Sequence, residues 1–157
     1  MNMNIQTSNS VSVIAMSLRT TLANINQDVS DLPDKLSADL IPAGILPTGP
    51  MMFLYDGVTP DPLKEFDLRI GLPVSADDAT RYEGPYKSYR LEPFHFVEAV
   101  LHGDIAQMGP NAYEPLLANI GKAGMKMTGF SREVYQNFVD LDNDDNETRV
   151  QIGVQAP

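Results

Sequence analysis

In the first half of the chain, the hydrophobic positions follow a strand period and then a helix period. Residues 11–16 are rich in β-branched and apolar side chains and predict a first strand. Over residues 22–40 apolar side chains recur at steps of three and four, which predicts one buried helix face, and Pro33 is expected to kink or break that helix. Residues 51–55 form a short apolar run, and residues 65–74 alternate, so two further strands are expected.

The second half shows the same succession of patterns. Residues 91–102 predict a long strand, and a polar connection precedes them. A helix is expected to begin near Asn111, which has the spacing of a capping box, and to end at Gly121 or shortly after it. Strands are then predicted over residues 131–139 and 147–154.

The two halves also match each other residue by residue. Gly49–Tyr55 reads G-P-M-M-F-L-Y and Gly129–Tyr135 reads G-F-S-R-E-V-Y, with an offset of 80 residues. Gly71 and Gly153 occupy matching places in the strand that follows. One strand–helix–strand–strand unit is too small to cover its own sheet face, whereas two such units can close a joint core. An internal duplication is therefore predicted.

These patterns predict an α+β fold built from duplicated βαββ units. The units span about residues 11–75 and 91–156, and we expect antiparallel sheet pairing, two main helices and a central groove. Together they would form a single domain over residues 11–157, after a flexible, polar tail at residues 1–10. The seam between two such halves is a natural place for a small-molecule cavity.

Composition narrows the classes of partner. With 11 basic and 21 acidic residues the net charge is −10, which disfavours nucleic acid and anionic membranes and favours cations as ligands. The absence of cysteine excludes disulfides, thiolate zinc sites and a cysteine nucleophile. No apolar run approaches the roughly 18 residues of a spanning helix, and no signal peptide is recognised, so a cytoplasmic location is expected.

Several of these motifs resemble the GyrI-like small-molecule-binding domain, the effector-binding domain of AraC-type regulators in the SOUL-like superfamily. They are His-Gly at residues 102–103 before the second helix, the Gly129-x-x-x-Glu133-x-Tyr135 phrase after it, and the closing strand at residues 149–154. The resemblance covers roughly residues 10–156. It implies effector sensing, including multidrug binding, in transcription regulation, or a free-standing protein linked to gyrase inhibition; some free-standing members hydrolyse reactive small molecules.

The resemblance also implies a pocket with one carboxylate among aromatic rings. Strand alternation puts Glu133 and Tyr135 on one face. The expected ligand-binding residues are Glu133, Tyr135, Tyr55, Phe53, Phe96 and Tyr113. For Glu133 the alternative is a surface glutamate paired with Arg132 or Lys126, and for the aromatic residues it is ordinary core packing.

The predicted function is binding of a lipophilic or cationic small molecule, for sensing or sequestration. One alternative is a hydrolase with Glu133 as general base. The resemblance implies a pocket tryptophan in hydrolytic members, and this chain has no tryptophan, which disfavours hydrolysis; otherwise no catalytic residue is expected. A second alternative is a module that binds a protein partner such as gyrase or a regulator. No cofactor is expected, and no metal, because His95 and His102 fall on opposite strand faces. No residues are left over for a helix-turn-helix, so direct DNA binding is not expected.

Overall fold

The computed structural model describes residues 2–156 and divides into two compact units. Unit 1 comprises residues 2–9 and 93–156, and unit 2 comprises residues 10–92. Met1, the first residue of the predicted tail, and Pro157, the last residue of the predicted domain, lie outside the described residues. The strands and α-helices, in chain order, are β1 (Asn2–Thr7), β2 (Val11–Thr20), α1 (Ile25–Val29), α2 (Leu32–Leu40), β3 (Met52–Asp56), β4 (Phe66–Val74), α3 (Ala76–Arg81), β5 (Lys87–Leu91), β6 (His95–His102), α4 (Glu114–Lys122), β7 (Met127–Asn137) and β8 (Glu147–Val154).

Unit 2 contains a sheet in the order β3-β4-β2-β5, with every pair antiparallel. The predicted helix break is confirmed: Ser30, with φ at 38°, separates α1 from α2, and Pro33 lies in the first turn of α2, where its missing N–H is harmless. The strand predicted over residues 65–74 is confirmed as well, and its alternating apolar residues Leu68 and Ile70 are buried. We did not predict α3 and β5, which lie within the polar stretch before residue 91.

Unit 1 contains a sheet in the order β1-β6-β8-β7, again with antiparallel pairs. Its core is formed by apolar residues of β6, β8 and α4, with Val97, Leu116 and Val150 fully buried. The expectation of a flexible tail at residues 1–10 is wrong for residues 2–7, which form β1. Met3 and Ile5 alternate with polar residues and pack against the unit 1 core, and this burial offsets the loss of chain entropy.

The second helix begins later than the sequence predicts. A 3₁₀ turn (Ile105–Gln107) and a π-helical turn (Gly109–Tyr113) precede α4. Asn111 therefore lies inside the π-helical turn, and Tyr113 occupies the N-cap position of α4. The predicted end is confirmed, because Gly124 adopts a φ of 66° and donates its N–H to the carbonyl of Gly121 at 3.1 Å.

The α+β class and the repeated order of strand, helix, strand and strand are confirmed. Each unit also adds one edge strand beside its first long strand: β5 pairs with β2 in unit 2, and β1 pairs with β6 in unit 1. In the chain, three residues connect β1 to β2, and three connect β5 to β6. Each edge strand thus precedes in sequence the first long strand of the other unit. Within residues 2–156, none of the helices has the length and apolar character needed to span a bilayer.

Candidate functional site

Glu133 lies on the core face of the unit 1 sheet. In the strand register Glu133 is opposite Val150, and Val150 is opposite Ala99, so the three side chains share one face. Val150 and Ala99 belong to the core beneath α4, and Glu133 is only 4% exposed. A carboxylate at such a depth is costly unless polar groups satisfy it, so its hydrogen-bond partners decide its role.

Two tyrosine hydroxyl groups donate to this carboxylate. The hydroxyl of Tyr113 donates to Oε2 of Glu133 at 2.5 Å, and the hydroxyl of Tyr135 donates to Oε1 at 2.8 Å. Tyr135 is two residues further along β7 and shares the face of Glu133, as predicted. Tyr113 reaches the carboxylate from the π-helical turn before α4 and also packs against the unit 1 core. Each carboxylate oxygen therefore accepts a hydrogen bond from a different element.

The surroundings of the two tyrosines keep them protonated. Burial, the negative charge of Glu133 and the hydrogen bond to it raise the pKa of Tyr113 well above its usual value, and the same causes, in the same order, raise the pKa of Tyr135. Both phenols thus remain hydrogen-bond donors at neutral pH. The arrangement is one buried carboxylate held between two hydroxyl donors and their rings.

The opposite face of the same sheet carries a separate polar network. Nε of Arg132 donates to Gln151 at 2.5 Å, and Nε2 of Gln151 donates to Glu98 at 2.6 Å. Glu98 also forms an ion pair with Arg149 at 3.1 Å. The alternative in which Glu133 pairs with Arg132 is therefore wrong, because neighbouring residues on a strand point to opposite faces.

Phe96 belongs to this opposite face. It lies two residues before Glu98 on β6, its ring centroid is 5.1 Å from that of Phe94, and the guanidinium of Arg132 lies 5.9 Å from the ring. The structure does not bring Phe96 to the carboxylate of Glu133. Strand alternation puts Phe96 and Glu98 on one face of β6, but it does not show which face of β6 matches that of Glu133.

Phe53 and Tyr55 lie in β3 of unit 2. They pair with Ile70 and Leu68 of β4, and they are 9% and 6% exposed. The ring of Tyr55 also lies 5.8 Å from the ring of Phe66. Both are thus core residues of unit 2, as the alternative interpretation holds, and their part in ligand binding stays a prediction.

Unit 2 also contains a groove that sequence reasoning missed. It has a volume of about 560 Å³ and is lined by Ser17, Leu18, Arg19, Asp56, Asp67, Leu68, Arg69 and Tyr89. The hydroxyl of Tyr89 lies 3.1 Å from that of Ser17, and the guanidinium of Arg69 lies 4.8 Å from the Tyr89 ring. The alternation of Lys87-Ser88-Tyr89-Arg90 was the available signal for a strand that carries Tyr89 on one face.

The histidines do not form a pair. The ring of His95 makes a hydrogen bond at 3.0 Å to Thr7, and His102 lies seven residues away at the other end of β6, opposite Glu147. Among the described residues, no group of three His, Asp or Glu side chains is arranged to hold a metal ion.

Neither a protein-family model nor a curated protein matches the sequence. Solved structures do match. The C-terminal domain of EcmrR aligns with a TM-score of 0.76 at 17% identity over 97% of this chain and 96% of that domain. EcmrR in a complex with DNA aligns with a TM-score of 0.78 at 16% identity over 97% of this chain but 56% of that one.

SAV2435, solved bound to tetraphenylphosphonium, aligns with a TM-score of 0.68 at 14% identity over 99% of this chain and 94% of that one. Identities this low establish the fold, because backbone geometry persists after most side chains have changed, whereas function depends on particular side chains. This chain therefore shares the fold of the EcmrR C-terminal domain and of SAV2435.

Proposed function

We propose that this chain is a GyrI-like effector-binding domain that binds a lipophilic cation at Glu133, Tyr113 and Tyr135. The observation that carries the proposal is a carboxylate only 4% exposed whose two oxygens each accept a tyrosine hydroxyl. We propose that Glu133 is ionised, because the two hydroxyl donors stabilise its charged form against the cost of burial. A cation brought close to that charge is attracted more strongly than it would be in water.

Because Glu133 is buried, the cost of removing water from a cation determines which kind of cation can bind there. A compact, strongly hydrated cation loses much hydration energy on entering such a site, whereas a cation whose charge is covered by apolar groups loses little. The tyrosine rings add cation–π attraction of roughly 0.5–2 kcal/mol each. A lipophilic cation is therefore favoured over an inorganic one. SAV2435, which shares the fold, was solved with such a cation bound, and this supports tetraphenylphosphonium as the first probe.

The same geometry favours binding over hydrolysis. The hydrogen bonds from Tyr113 and Tyr135 stabilise the ionised form of the Glu133 carboxylate and so weaken it as a general base. The raised pKa of each tyrosine also makes either phenol a poor nucleophile at neutral pH. The three side chains are consequently suited to recognising charge rather than to moving protons.

The test is a titration with tetraphenylphosphonium followed by calorimetry. We expect micromolar binding, and we expect Glu133→Gln to raise the Kd at least tenfold, because the substitution keeps the size of the side chain and removes its charge. A tenfold change in Kd corresponds to about 1.4 kcal/mol.

The matched control is Glu98→Gln. It removes one negative charge from the same unit, on the opposite face of the sheet, where Glu98 pairs with Arg149. Its Kd should stay within about twofold of the wild-type value. Equal losses in the two variants would mean that the net charge of the chain attracts the cation, and the role of Glu133 would then be abandoned.

A further inference from the structure

Three large apolar side chains are exposed within four residues of the β7–β8 connection. Phe138 is 49% exposed, Val139 56% and Leu141 63%. Single exposed apolar residues are ordinary, but a contiguous group marks a surface that binds something. We call residues 138–145 the acidic–apolar loop.

The backbone of this loop is fixed from the inside. The side chain of Asn146, 1% exposed, accepts a hydrogen bond at 2.8 Å from the N–H of Val139 and donates one at 2.5 Å to the carbonyl of Asp140. The N–H of Ile105 also donates to the carbonyl of Leu141 at 3.0 Å. The exposure of the apolar side chains is thus set by an ordered backbone, and a partner would not have to order the loop on binding.

The charges of the acidic–apolar loop indicate the chemistry of the partner that it can bind. Four exposed aspartates alternate with or follow the apolar residues, and residues 138–146 contain no lysine or arginine. The four aspartates are Asp140, Asp142, Asp144 and Asp145. An anionic membrane or a nucleic acid would be repelled by this surface, whereas a protein segment with both basic and apolar side chains would satisfy both of its features.

We propose that the acidic–apolar loop is a docking surface for a basic, amphipathic segment of a protein partner. The apolar side chains of such a segment would cover Phe138, Val139 and Leu141, and its lysines or arginines would face the surrounding aspartates. Apolar contact supplies most of the affinity, and charge selects the partner and accelerates the encounter. This surface does not depend on the ligand proposed for Glu133.

The test uses a fluorescently labelled synthetic helical peptide of leucine and lysine, arranged so that leucines fill one face. The full chain should bind this peptide with a Kd on the order of 10 μM, as expected for a small, mostly exposed surface. A peptide of the same pattern with glutamate in place of lysine should bind at least tenfold more weakly. Failure of the lysine peptide to bind would overturn the proposal.

Two sets of variants locate the contact. Replacing Phe138, Val139 and Leu141 together by serine should weaken the lysine peptide at least tenfold. The control replaces three even more exposed apolar residues of unit 2 by serine and should leave binding within twofold; they are Ile41, Leu46 and Leu63. Thermal unfolding of both variants checks that the fold survives, since the ring of Phe138 also contacts that of Tyr135.

A second pair of variants separates local charge from net charge. Changing Asp142, Asp144 and Asp145 to asparagine should weaken binding about fivefold or more. Removing three exposed charges elsewhere, at Asp31, Asp34 and Asp77, should have less than a twofold effect. Equal effects from both triple variants would mean that general electrostatics causes the binding, and this would contradict a docking surface.

Vesicles of phosphatidylcholine test the membrane alternative. Binding of the wild-type chain to these vesicles, lost in the serine variant, would point to a membrane and would also overturn the proposed docking surface.

Discussion

The two units place different side chains at matching positions of a similar sheet. In unit 1 the strand order is β1-β6-β8-β7, and in unit 2 it is β5-β2-β4-β3, so β7 and β3 hold corresponding places. The sequence match between these strands sets Glu133 against Phe53 and Tyr135 against Tyr55. Both residues of the first pair are buried, at 4% and 9% exposure. Unit 1 therefore has a carboxylate at a buried position where unit 2 has an aromatic ring.

This difference shows what a buried charge requires of its surroundings. Glu133 is tolerated because Tyr135 lies on the same strand face and Tyr113 donates from the turn before α4. Phe53 pairs with Ile70 of β4, which is fully buried and apolar. An acid is stable only where donors are already arranged around it, so the site in unit 1 depends on three residues together.

The largest effect is expected when a carboxylate is placed in unit 2 at the position that matches Glu133. Phe53→Glu should lower the free energy of unfolding by about 4 kcal/mol, because it buries a carboxylate at a 9% exposed position that pairs with the apolar Ile70. Urea denaturation at pH 7 measures the loss. Phe53→Leu, which removes the ring without adding charge, should lower the free energy of unfolding by no more than about 1.5 kcal/mol. Similar losses in both variants would show that unit 2 can accept a charge at this position.

A smaller effect is expected when the donors are removed one at a time. Tyr113→Phe and Tyr135→Phe should each lower the free energy of unfolding by about 1–2 kcal/mol, because each leaves one oxygen of the buried carboxylate without this hydroxyl. The control in unit 2 is Tyr89→Phe, whose hydroxyl lies near Ser17 at an exposed site, and it should change the free energy by less than about 0.5 kcal/mol. If all three variants lose equally little, the hydroxyl donors do not stabilise Glu133.

The smallest effect is expected in the alkaline titration of the tyrosines. Because the pKa of Tyr113 and that of Tyr135 are raised, the folded state holds these protons more tightly than the unfolded state does. This stabilisation is complete below about pH 10 and is lost as the pH rises through the higher folded-state values. Phenolate absorbance should show that Tyr113 and Tyr135 ionise well above the usual pKa of a tyrosine.

Glu133→Gln sharpens that titration. It should lower the pKa of both tyrosines by removing the negative charge, but burial, the larger cause, should keep each above its usual value. The pH dependence of the unfolding free energy above pH 10 should therefore be steeper in the wild type than in the variant. A wild-type titration in which all tyrosines ionise together near pH 10 would contradict this assignment.

Local periodicity predicted most of the helices and strands, but it did not predict the two edge strands β1 and β5. The strand at residues 147–154 and the break before Pro33 follow from alternation and from proline geometry, and both were predicted correctly. β1 was missed because its short Asn-Met alternation resembles a polar tail, and only packing of Met3 and Ile5 against residues far along the chain makes it a strand. β5 was missed for the same reason, since its partner β2 lies about 75 residues earlier.

The geometry of the candidate site was predicted in part for a related reason. Alternation alone places Glu133 and Tyr135 on one face, and their hydrogen bond confirms this. Tyr113 was identified as a candidate, but its contact depends on a π-helical turn, and no periodic signal in the sequence predicts that turn. The position of Phe96 on the opposite face depends on strand register, which is set by pairing and not by either strand alone.

The most direct test of the central claim is a crystal structure of the protein with tetraphenylphosphonium. We expect the phosphorus atom within about 6 Å of the Glu133 carboxylate, with a ring of Tyr113 or Tyr135 against a phenyl group. A structure in which the cation lies elsewhere, while both tyrosine hydroxyls still donate to Glu133 as they do without ligand, would rule out binding at Glu133.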